Sequence, residues 1–277
     1  MRVPENTFRL HTLDDALRIK KFLSEHRGDR ALVVGGGFIT LELVEILARF
    51  GWKIKLLCVE KSFWSEYLDE QGFSILLDIW QKNGVELSFG DEIADIESIQ
   101  PGRLGREARI ITRNGARLSA DFIGVGIGLE RSFDAEVNER LETAFPNVWA
   151  AGDVAFYTDP YSGRKRFGGN WSGAFMQGRI AGLNMAGVKE PFKTLSAYSI
   201  NHLGLTITFA GDVGPFDPGL GVKSSVVYFN RAQNQYFRIF ENSARVIGAA
   251  MINGQQFLGR INQAIINQWD SSKIILD

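Results

Sequence analysis

Apolar and polar residues alternate near the start of the chain in blocks that predict a strand, a helix and a second strand. Residues 30–34 form a short apolar run that leads into three glycines, which is typical of a buried parallel strand. Residues 38–50 carry their apolar side chains on one helical stripe, and Gly51 follows as a helix-ending residue. Residues 53–60 form the next apolar run. The pattern predicts one right-handed βαβ unit.

Weaker patterns on either side of this unit predict the remaining elements. Thr12 is a suitable N-cap for a helix over residues 13–22. The other elements predicted before Pro191 are a helix at 73–83, strands at 85–89, 108–112, 116–118, 122–125 and 148–151, and a helix at 172–186. After Pro191 we expect a separate α+β module, with strands at 205–210, 224–229, 235–240 and 246–252 and a closing helix at 257–269.

Composition and charge narrow the class of protein. The 277 residues include 31 Lys and Arg, 32 Asp and Glu, 3 His and 1 Cys, for a net charge of −1. Near-neutral charge argues against nucleic-acid binding, and the few His and Cys argue against a metal site. The first residues lack the apolar core of a secretory signal, and no apolar run approaches the about 20 residues of a membrane span, so we expect a cytoplasmic protein.

The glycines carry the clearest chemical signal. Gly35, Gly36 and Gly37 follow the first strand of the βαβ unit, then come Phe38, Ile39 and Thr40 at the start of its helix. Gly35 would allow the tight turn, Gly37 would let the backbone approach a pyrophosphate, and the helix N-terminus would face the phosphates. The motif therefore predicts a dinucleotide-binding site. The alternative is a glycine turn that binds nothing.

Two further residues refine the prediction of a dinucleotide site. Glu60 lies twenty residues after Thr40, at the end of the second strand, where it would accept hydrogen bonds from the adenosine ribose. A carboxylate there repels a 2′-phosphate, which favours NADH over NADPH, although Lys61 weakens the preference. Thr40 occupies the third glycine position and is bulkier, so we expect the helix to sit slightly further from the strand.

Blocks of sequence resemble the pyridine nucleotide-disulfide oxidoreductase family of FAD- and NAD(P)H-dependent enzymes. The order of the blocks is similar to that in ferredoxin or rubredoxin reductases, NADH oxidases and nitrite reductases. They cover most of residues 11–186, at 11–19, 31–42, 121–130, 147–166 and 170–185.

The resemblance implies roles for individual residues. Gly152 and Asp153 match the second FAD motif, in which the Asp accepts from a ribityl hydroxyl. Trp171 matches an aromatic residue close to the flavin ring and the nicotinamide pocket, and Glu42 matches a Glu near the nicotinamide end. Gly126 and Gly128 match a stretch along the dinucleotide. Glu42 and Trp171 are thus the candidate catalytic residues, with a helix-dipole partner and a core residue as the respective alternatives.

Other residues have simpler interpretations. Cys58 lies in an apolar run and is expected to be a buried small hydrophobe, and the chain has no C-x-x-C pair for dithiol chemistry. Residues 164–166 form a basic cluster, which we expect to be a solvated loop. The alternative is a docking patch for an acidic redox partner.

The family's first FAD motif would precede this sequence, so we expect FAD to bind weakly or not at all without it. Three explanations stay open: a fragment of a longer protein, a separate N-terminal FAD-binding polypeptide, or a natural remnant that binds only a pyridine nucleotide. The resemblance also makes a homodimer through the C-terminal module plausible.

We therefore predict an α/β protein with a Rossmann-type, three-layer NAD domain, part of an FAD domain and a C-terminal α+β interface domain. The expected division is a linker and helix at 1–27, the NAD(H) domain at 28–122, the FAD part at 123–188 and the interface module at 189–277. The predicted function is an FAD-dependent NAD(P)H oxidoreductase that passes hydride from NADH to flavin and electrons to a redox protein or small acceptor. The alternative is a non-catalytic NAD(H) sensor or structural subunit.

Overall fold

A five-stranded parallel sheet forms around the predicted βαβ unit, with strand order β1-β8-β2-β3-β4. The computed structural model describes residues 4–26, 30–100, 107–128, 130–131, 133–216 and 218–274. The elements up to the last strand of this sheet are β1 (Thr7–Arg9), α1 (Leu13–Glu25), β2 (Arg30–Val34), α2 (Phe38–Arg49), β3 (Lys53–Cys58), α3 (Glu70–Lys82), β4 (Val85–Phe89), β5 (Ile93–Gln100), β6 (Glu107–Thr112), β7 (Arg117–Ala120) and β8 (Phe122–Val125).

The sheet is covered on both faces, because successive side chains of a strand point to opposite sides. Leu32 of β2 belongs to a buried cluster with Ile110 of β6, so the antiparallel meander β5-β6-β7 covers one face. On the other face Gly124 of β8 lies against Leu43 of α2: a Cβ at Gly124 would be 3.1 Å from the Leu43 Cδ1 atom. The Rossmann-type, three-layer α/β fold is thereby confirmed.

The first helix begins as its sequence predicts. The Asp15 backbone N–H donates to Thr12 Oγ1 (3.1 Å), and the Thr12 N–H donates to an Asp15 carboxylate oxygen (2.9 Å), which forms a complete capping box. The helix ends at Glu25, three residues later than expected. Just before it, the unpredicted strand β1 pairs in parallel with β8 and extends the sheet.

The chain divides into two compact units: a first unit of Met1–Ser65 and Phe73–Leu129, and a second unit of Glu66–Gly72 and Glu130–Asp277. The helices and strands of the second unit after residue 129 are β9 (Ala135–Glu136), β10 (Ala155–Thr158), β11 (Lys165–Phe167), α4 (Trp171–Met185), β12 (Ala197–His202), β13 (Leu205–Gly211), β14 (Lys223–Asn230), β15 (Gln235–Asn242), β16 (Arg245–Ile252) and α5 (Leu258–Ile266). The strands form a three-stranded sheet, β11-β10-β9, and a five-stranded antiparallel sheet, β12-β13-β16-β15-β14.

Each sheet of the second unit has its own helix and apolar core. Ile180 and Ala181 of α4 pack with Ala155 and Tyr157 of β10. Ile261 of α5 lies in a separate buried cluster that includes residues of β13, β15 and β16. The predicted α+β module is therefore present, but its closing helix ends at Ile266 rather than at residue 269. Within the described part of the chain, no helix has both the length and the apolar character needed to cross a bilayer.

The strand predicted at residues 148–151 is wrong. Only one isolated antiparallel bridge forms there, between Trp149 and Glu142. The Ala150 N–H donates to the Leu141 carbonyl (3.1 Å), and the Thr143 N–H donates to the Val148 carbonyl (2.9 Å), so one edge of this segment is paired. Among the described residues no strand pairs with its other edge, so the segment joins none of the sheets.

The basic cluster is neither a solvated loop nor an open docking patch. Arg164 and Arg166 are only 17% and 16% exposed, and both reach the buried carboxylate of Asp212, with nitrogen–oxygen distances of 3.0 and 3.4 Å. Arg166 also lies 3.6 Å from Asp159, while the more exposed Lys165 pairs with Glu136. The two arginines and two aspartates form a buried ion network within the second unit.

Candidate functional site

The turn that leaves β2 can be made only by glycine at its first position. Gly35 has φ +128°, and a Cβ there would lie 2.2 Å from the carbonyl oxygen of Gly126. The turn is fixed on both sides: the Gly35 N–H donates to the Leu57 carbonyl (2.9 Å) and the Gly126 N–H to the Val34 carbonyl (2.8 Å). A side chain at this position would therefore collide with the backbone of Gly126, and only glycine avoids the collision.

The N-terminus of α2 is open to an anion. Gly37 is its N-cap, and no side chain makes a capping hydrogen bond there. The first turn contains no acidic residue. The Phe38 ring packs 4.8 Å from the ring of Trp64, and Ile39 is partly exposed. A helix end of this kind attracts phosphate groups through its free N–H groups and its dipole.

Thr40 fits the helix–strand contact because its partner is a glycine. The Thr40 side chain is fully buried, and its hydroxyl donates to the Gly126 carbonyl at 3.3 Å. A Cβ at Gly126 would lie 2.7 Å from Thr40 Oγ1. The volume that threonine adds at the third motif position is thus matched by a glycine on the facing segment, a pairing that the sequence alone did not reveal. Gly128, with φ +92°, has open space where a Cβ would be.

Glu60 lies beside the glycine turn, two residues after β3 ends. Its side chain is exposed, and its Oε2 atom would be 2.9 Å from a Cβ at Gly36. Cys58, which is fully buried as predicted, donates its thiol proton to the same oxygen over 2.8 Å. Burial, and then the hydrogen bond to Glu60, raise the pKa of the Cys58 thiol to about 12. The thiol is therefore protonated at neutral pH and is an inert neighbour of the carboxylate.

Glu42 lies on the second turn of α2 and is half-buried. Burial, and then the nearby Glu45 carboxylate, raise the pKa of Glu42 above its ordinary value. Glu45 is paired with Arg49 at 2.6 Å, whereas among the described residues none pairs with Glu42. The helix dipole acts mainly on the first turn, so the position of Glu42 does not favour the alternative that Glu42 is a helix-dipole partner.

The second unit holds the other predicted residues. Gly152, with φ +83°, donates its N–H to Oε1 of the buried Gln177 at 2.7 Å, which fixes the turn to α4. Asp153 follows on the surface. Sequence reasoning had not given Gln177 this role. Its position two turns into α4 was the only signal, since a buried amide on an apolar helix face requires a hydrogen-bond partner.

Trp171 is the first residue of α4 and is 81% exposed, which contradicts the alternative that it is a core residue. Its ring stacks on Phe175, with centroids 5.8 Å apart and planes at 15°. The Asn170 side chain caps the helix by accepting from the Gly173 N–H at 2.7 Å. Phe175 was missed, although an aromatic pair at positions i and i+4 is a recognisable helical contact.

The predicted residues therefore form two groups. Gly35, Gly37, Thr40, Glu60 and Gly126 lie together at the carboxyl ends of β2, β3 and β8, which is where open parallel sheets bind ligands. Gly152, Asp153 and Trp171 lie in the second unit. The first group can hold a dinucleotide, and the second offers an exposed carboxylate and an exposed aromatic ring.

The chain is similar to known proteins over most of its length. The family model described as pyridine nucleotide-disulphide oxidoreductase matches residues 2–178. The NADH oxidase of Methanocaldococcus jannaschii is 25% identical over 93% of this chain and 62% of its own length. The NADH-rubredoxin oxidoreductase of Clostridium acetobutylicum is 26% identical over 99% of this chain and 66% of its own length.

The fold is also similar to that of a solved reductase. In the crystal structure of the covalent putidaredoxin reductase–putidaredoxin complex, a chain superposes with a TM-score of 0.82 at 19% identity, over 95% of this chain and 64% of that chain. This likeness shows the fold. The chain spans less than two thirds of the length of the curated relatives described above.

Proposed function

The chain belongs to the pyridine nucleotide-disulphide oxidoreductase family, and from this premise we propose that it binds NADH and takes part in hydride transfer to FAD. The observation that carries the proposal is the open glycine turn with Glu60 beside it. Gly35 and Gly37 make room for a pyrophosphate, and the uncapped N-terminus of α2 offers N–H groups to it. Glu60 then accepts from the hydroxyls of the adenosine ribose.

The same carboxylate makes NADH the preferred nucleotide. A 2′-phosphate would bring additional negative charge close to Glu60, and like charges at contact distance repel. Lys61 follows directly and reduces the difference without removing it. Glu42, half-buried on α2, is proposed to contact the nicotinamide end, a role that comes from its match to the family pattern.

For the flavin, the second unit offers two contacts. Asp153 is exposed and can accept from a ribityl hydroxyl, and the exposed Trp171 ring can pack against a flat aromatic ligand. When bound, FAD would supply the redox chemistry, namely hydride acceptance from NADH and onward electron transfer. Asp153 and Trp171 alone hold no phosphate, so we propose that FAD binds these 277 residues weakly. Further polypeptide, from a longer chain or a separate subunit, would complete the site.

The electron acceptor is proposed to be a redox protein or a small molecule. The names of the relatives, NADH oxidase and NADH-rubredoxin oxidoreductase, include both kinds of acceptor. They also favour an oxidoreductase over a non-catalytic sensor or structural subunit. A homodimer through the antiparallel module and a cytoplasmic location stay predictions of the sequence.

Nucleotide binding tests the first part of the proposal. NADH and NADPH are titrated into the purified chain, and calorimetry gives both dissociation constants. We expect NADH to bind more tightly and Glu60→Ala to weaken NADH much more than NADPH, because only the ribose hydroxyls lose an acceptor. Equal losses would refute the ribose assignment, and no binding of either nucleotide would overturn the proposed function.

The visible absorption spectrum tests the second part. We expect the isolated chain to be colourless or to lose its flavin band on dialysis, since the proposed contacts hold no pyrophosphate. Saturating FAD is then added and NADH oxidation is followed at the nicotinamide band. Turnover that falls in Trp171→Ala supports flavin placement in the second unit, and turnover unaffected by Trp171→Ala and Asp153→Ala contradicts it.

A further inference from the structure

The buried thiol of Cys58 has a contact that the proposed function does not yet use. We infer that Cys58 is a positioning residue, which holds the Glu60 carboxylate beside the glycine turn and so contributes to the preference for NADH. The inference rests on the proposed function and deepens it, because it concerns how the same site distinguishes two nucleotides. It is derived from the geometry of three residues within the first unit.

The Cys58 thiol is in direct contact with the Glu60 carboxylate. Cys58 ends β3 and is fully buried, and Glu60 stands two residues later with an exposed side chain. Their Sγ and Oε2 atoms are 2.8 Å apart. An exposed glutamate ordinarily samples several rotamers, since its side chain loses considerable entropy when fixed. A buried donor at this distance selects one of them.

The selected rotamer places the Glu60 carboxylate next to the glycine turn. A Cβ placed on Gly36 would lie 2.9 Å from Glu60 Oε2 and 3.0 Å from Cys58 Sγ. The middle glycine of the turn is thus in contact with both partners of the hydrogen bond. The thiol binds one oxygen of the carboxylate, and a carboxylate can accept about four hydrogen bonds, so acceptor capacity is left for a ribose.

In the Cys58–Glu60 pair the thiol can only donate a hydrogen bond. Burial and the neighbouring carboxylate raise the pKa of Cys58 to about 12. The proton therefore remains on sulfur at neutral pH, so Cys58 donates the hydrogen bond and Glu60 Oε2 accepts it. A residue that can donate but has no further reactivity at this position suits positioning rather than redox chemistry.

The test compares two substitutions of the same side chain. Cys58→Ala removes the donor, and Cys58→Ser keeps one. The dissociation constants of NADH and NADPH are measured for each purified variant by nicotinamide fluorescence. We expect Cys58→Ala to weaken NADH by roughly 3- to 10-fold, as for loss of one modest hydrogen bond, and to leave NADPH nearly unchanged. Cys58→Ser should recover most of the NADH affinity.

A double-mutant cycle separates positioning from general loosening of the fold. In the Glu60→Ala background, Cys58→Ala should have no further effect on NADH binding, because the group it positions is gone. Val33→Ala, a truncation of another fully buried side chain on the neighbouring strand, is the matched control. It should change both nucleotides equally, if at all.

The outcomes distinguish this inference from the proposed function. If the unmodified chain binds neither nucleotide, the proposed function fails. If NADH binds and Glu60→Ala weakens it, but Cys58→Ala leaves the ratio of NADH to NADPH affinity unchanged, the positioning role is overturned. An equal loss of both nucleotides in Cys58→Ala, matched by Val33→Ala, also overturns it, because that is the result of a merely structural side chain.

Discussion

At the scale of single residues, Gly35 gives the sharpest expectation. Gly35→Ala should destabilise the first unit by about 2 kcal/mol or more, because it combines a left-handed φ with a Cβ 2.2 Å from a backbone oxygen. Chemical denaturation followed by tryptophan fluorescence measures the loss. Gly51→Ala is the control, since Gly51 also has positive φ (+74°) but no atom within 4 Å of its Cβ position. Equal losses in the two variants would show that the close approach to Gly126 has no energetic weight.

Glu42 gives an expectation for pH dependence. Its pKa is raised in the folded protein above the ordinary value of 4.5, chiefly by burial. The unfolded chain therefore releases this proton at lower pH than the folded one, and the stability of the protein falls as pH rises through the window between the two pKa values. Glu42→Gln removes the effect. Its gain in melting temperature should be clear at pH 8 and should fade towards pH 4.

Glu45→Gln is the companion measurement, because the Glu45 carboxylate is paired with Arg49 and also contributes to the raised pKa of Glu42. Its gain at pH 8 should be smaller than that of Glu42→Gln, because the burial of Glu42, which is the larger cause, remains. A gain in Glu42→Gln that is equal at pH 4 and pH 8 would contradict the titration argument. If Glu42 also serves the nicotinamide end, the more stable variant should oxidise NADH more slowly, as expected where function retains an unfavourable charge.

At the scale of elements, the sequence predicted those helices and strands whose formation depends on a single short stretch of the chain. The β2–α2–β3 unit was predictable because its apolar periodicity, its glycines and Glu60 all lie within one short stretch. Strand β1 was missed, since three residues carry no period and it exists only through pairing with the distant β8. The strand prediction at 148–151 was wrong for the converse reason: the apolar pattern does not show whether a partner strand is present, and only one isolated bridge forms there.

The basic cluster shows the same limit for charged residues. Residues 164–166 are consecutive, but Asp212, which joins the network, lies far along the chain. Nothing in the local sequence distinguishes a solvated cation from a buried, paired one. The candidate site divides similarly: Gly35, Gly37 and Glu60 were found from spacing, whereas the fit of Thr40 to Gly126 depends on a contact between segments.

The buried network supports a prediction at this scale. Asp212→Asn should cost about 3 kcal/mol of unfolding free energy, because it removes the carboxylate that Arg164 and Arg166 share and leaves Asp159 as the remaining carboxylate beside Arg166. Urea denaturation gives the value. Glu136→Gln on the exposed pair with Lys165 is the control and should cost less than about 1 kcal/mol. If the two variants lose the same unfolding free energy, the buried network stabilises the second unit no more than the exposed pair does.

At the scale of the whole molecule, the two units divide the proposed cofactor contacts. The first unit carries the glycine turn and Glu60, and its parallel sheet is covered by α2 and a meander. The second unit carries Asp153 and Trp171 beside an antiparallel module with its own core. Hydride transfer requires two cofactors held in register. If the chain binds both cofactors as proposed, residues of a different unit would contact each of them.

Hydrogen exchange can test that division. NADH alone, at about 100 times its dissociation constant, should slow amides that exchange by unfolding of the first unit by about a hundredfold, including residues 35–40 and 126–128. FAD alone should protect residues 150–153 and 171–177 instead. Glu60→Ala at the same NADH concentration is the control, and its protection should fall with its affinity. If NADH protected residues 150–153 and 171–177 and left residues 35–40 and 126–128 unchanged, the second unit would bind the dinucleotide. That result would overturn the assignment of both sites.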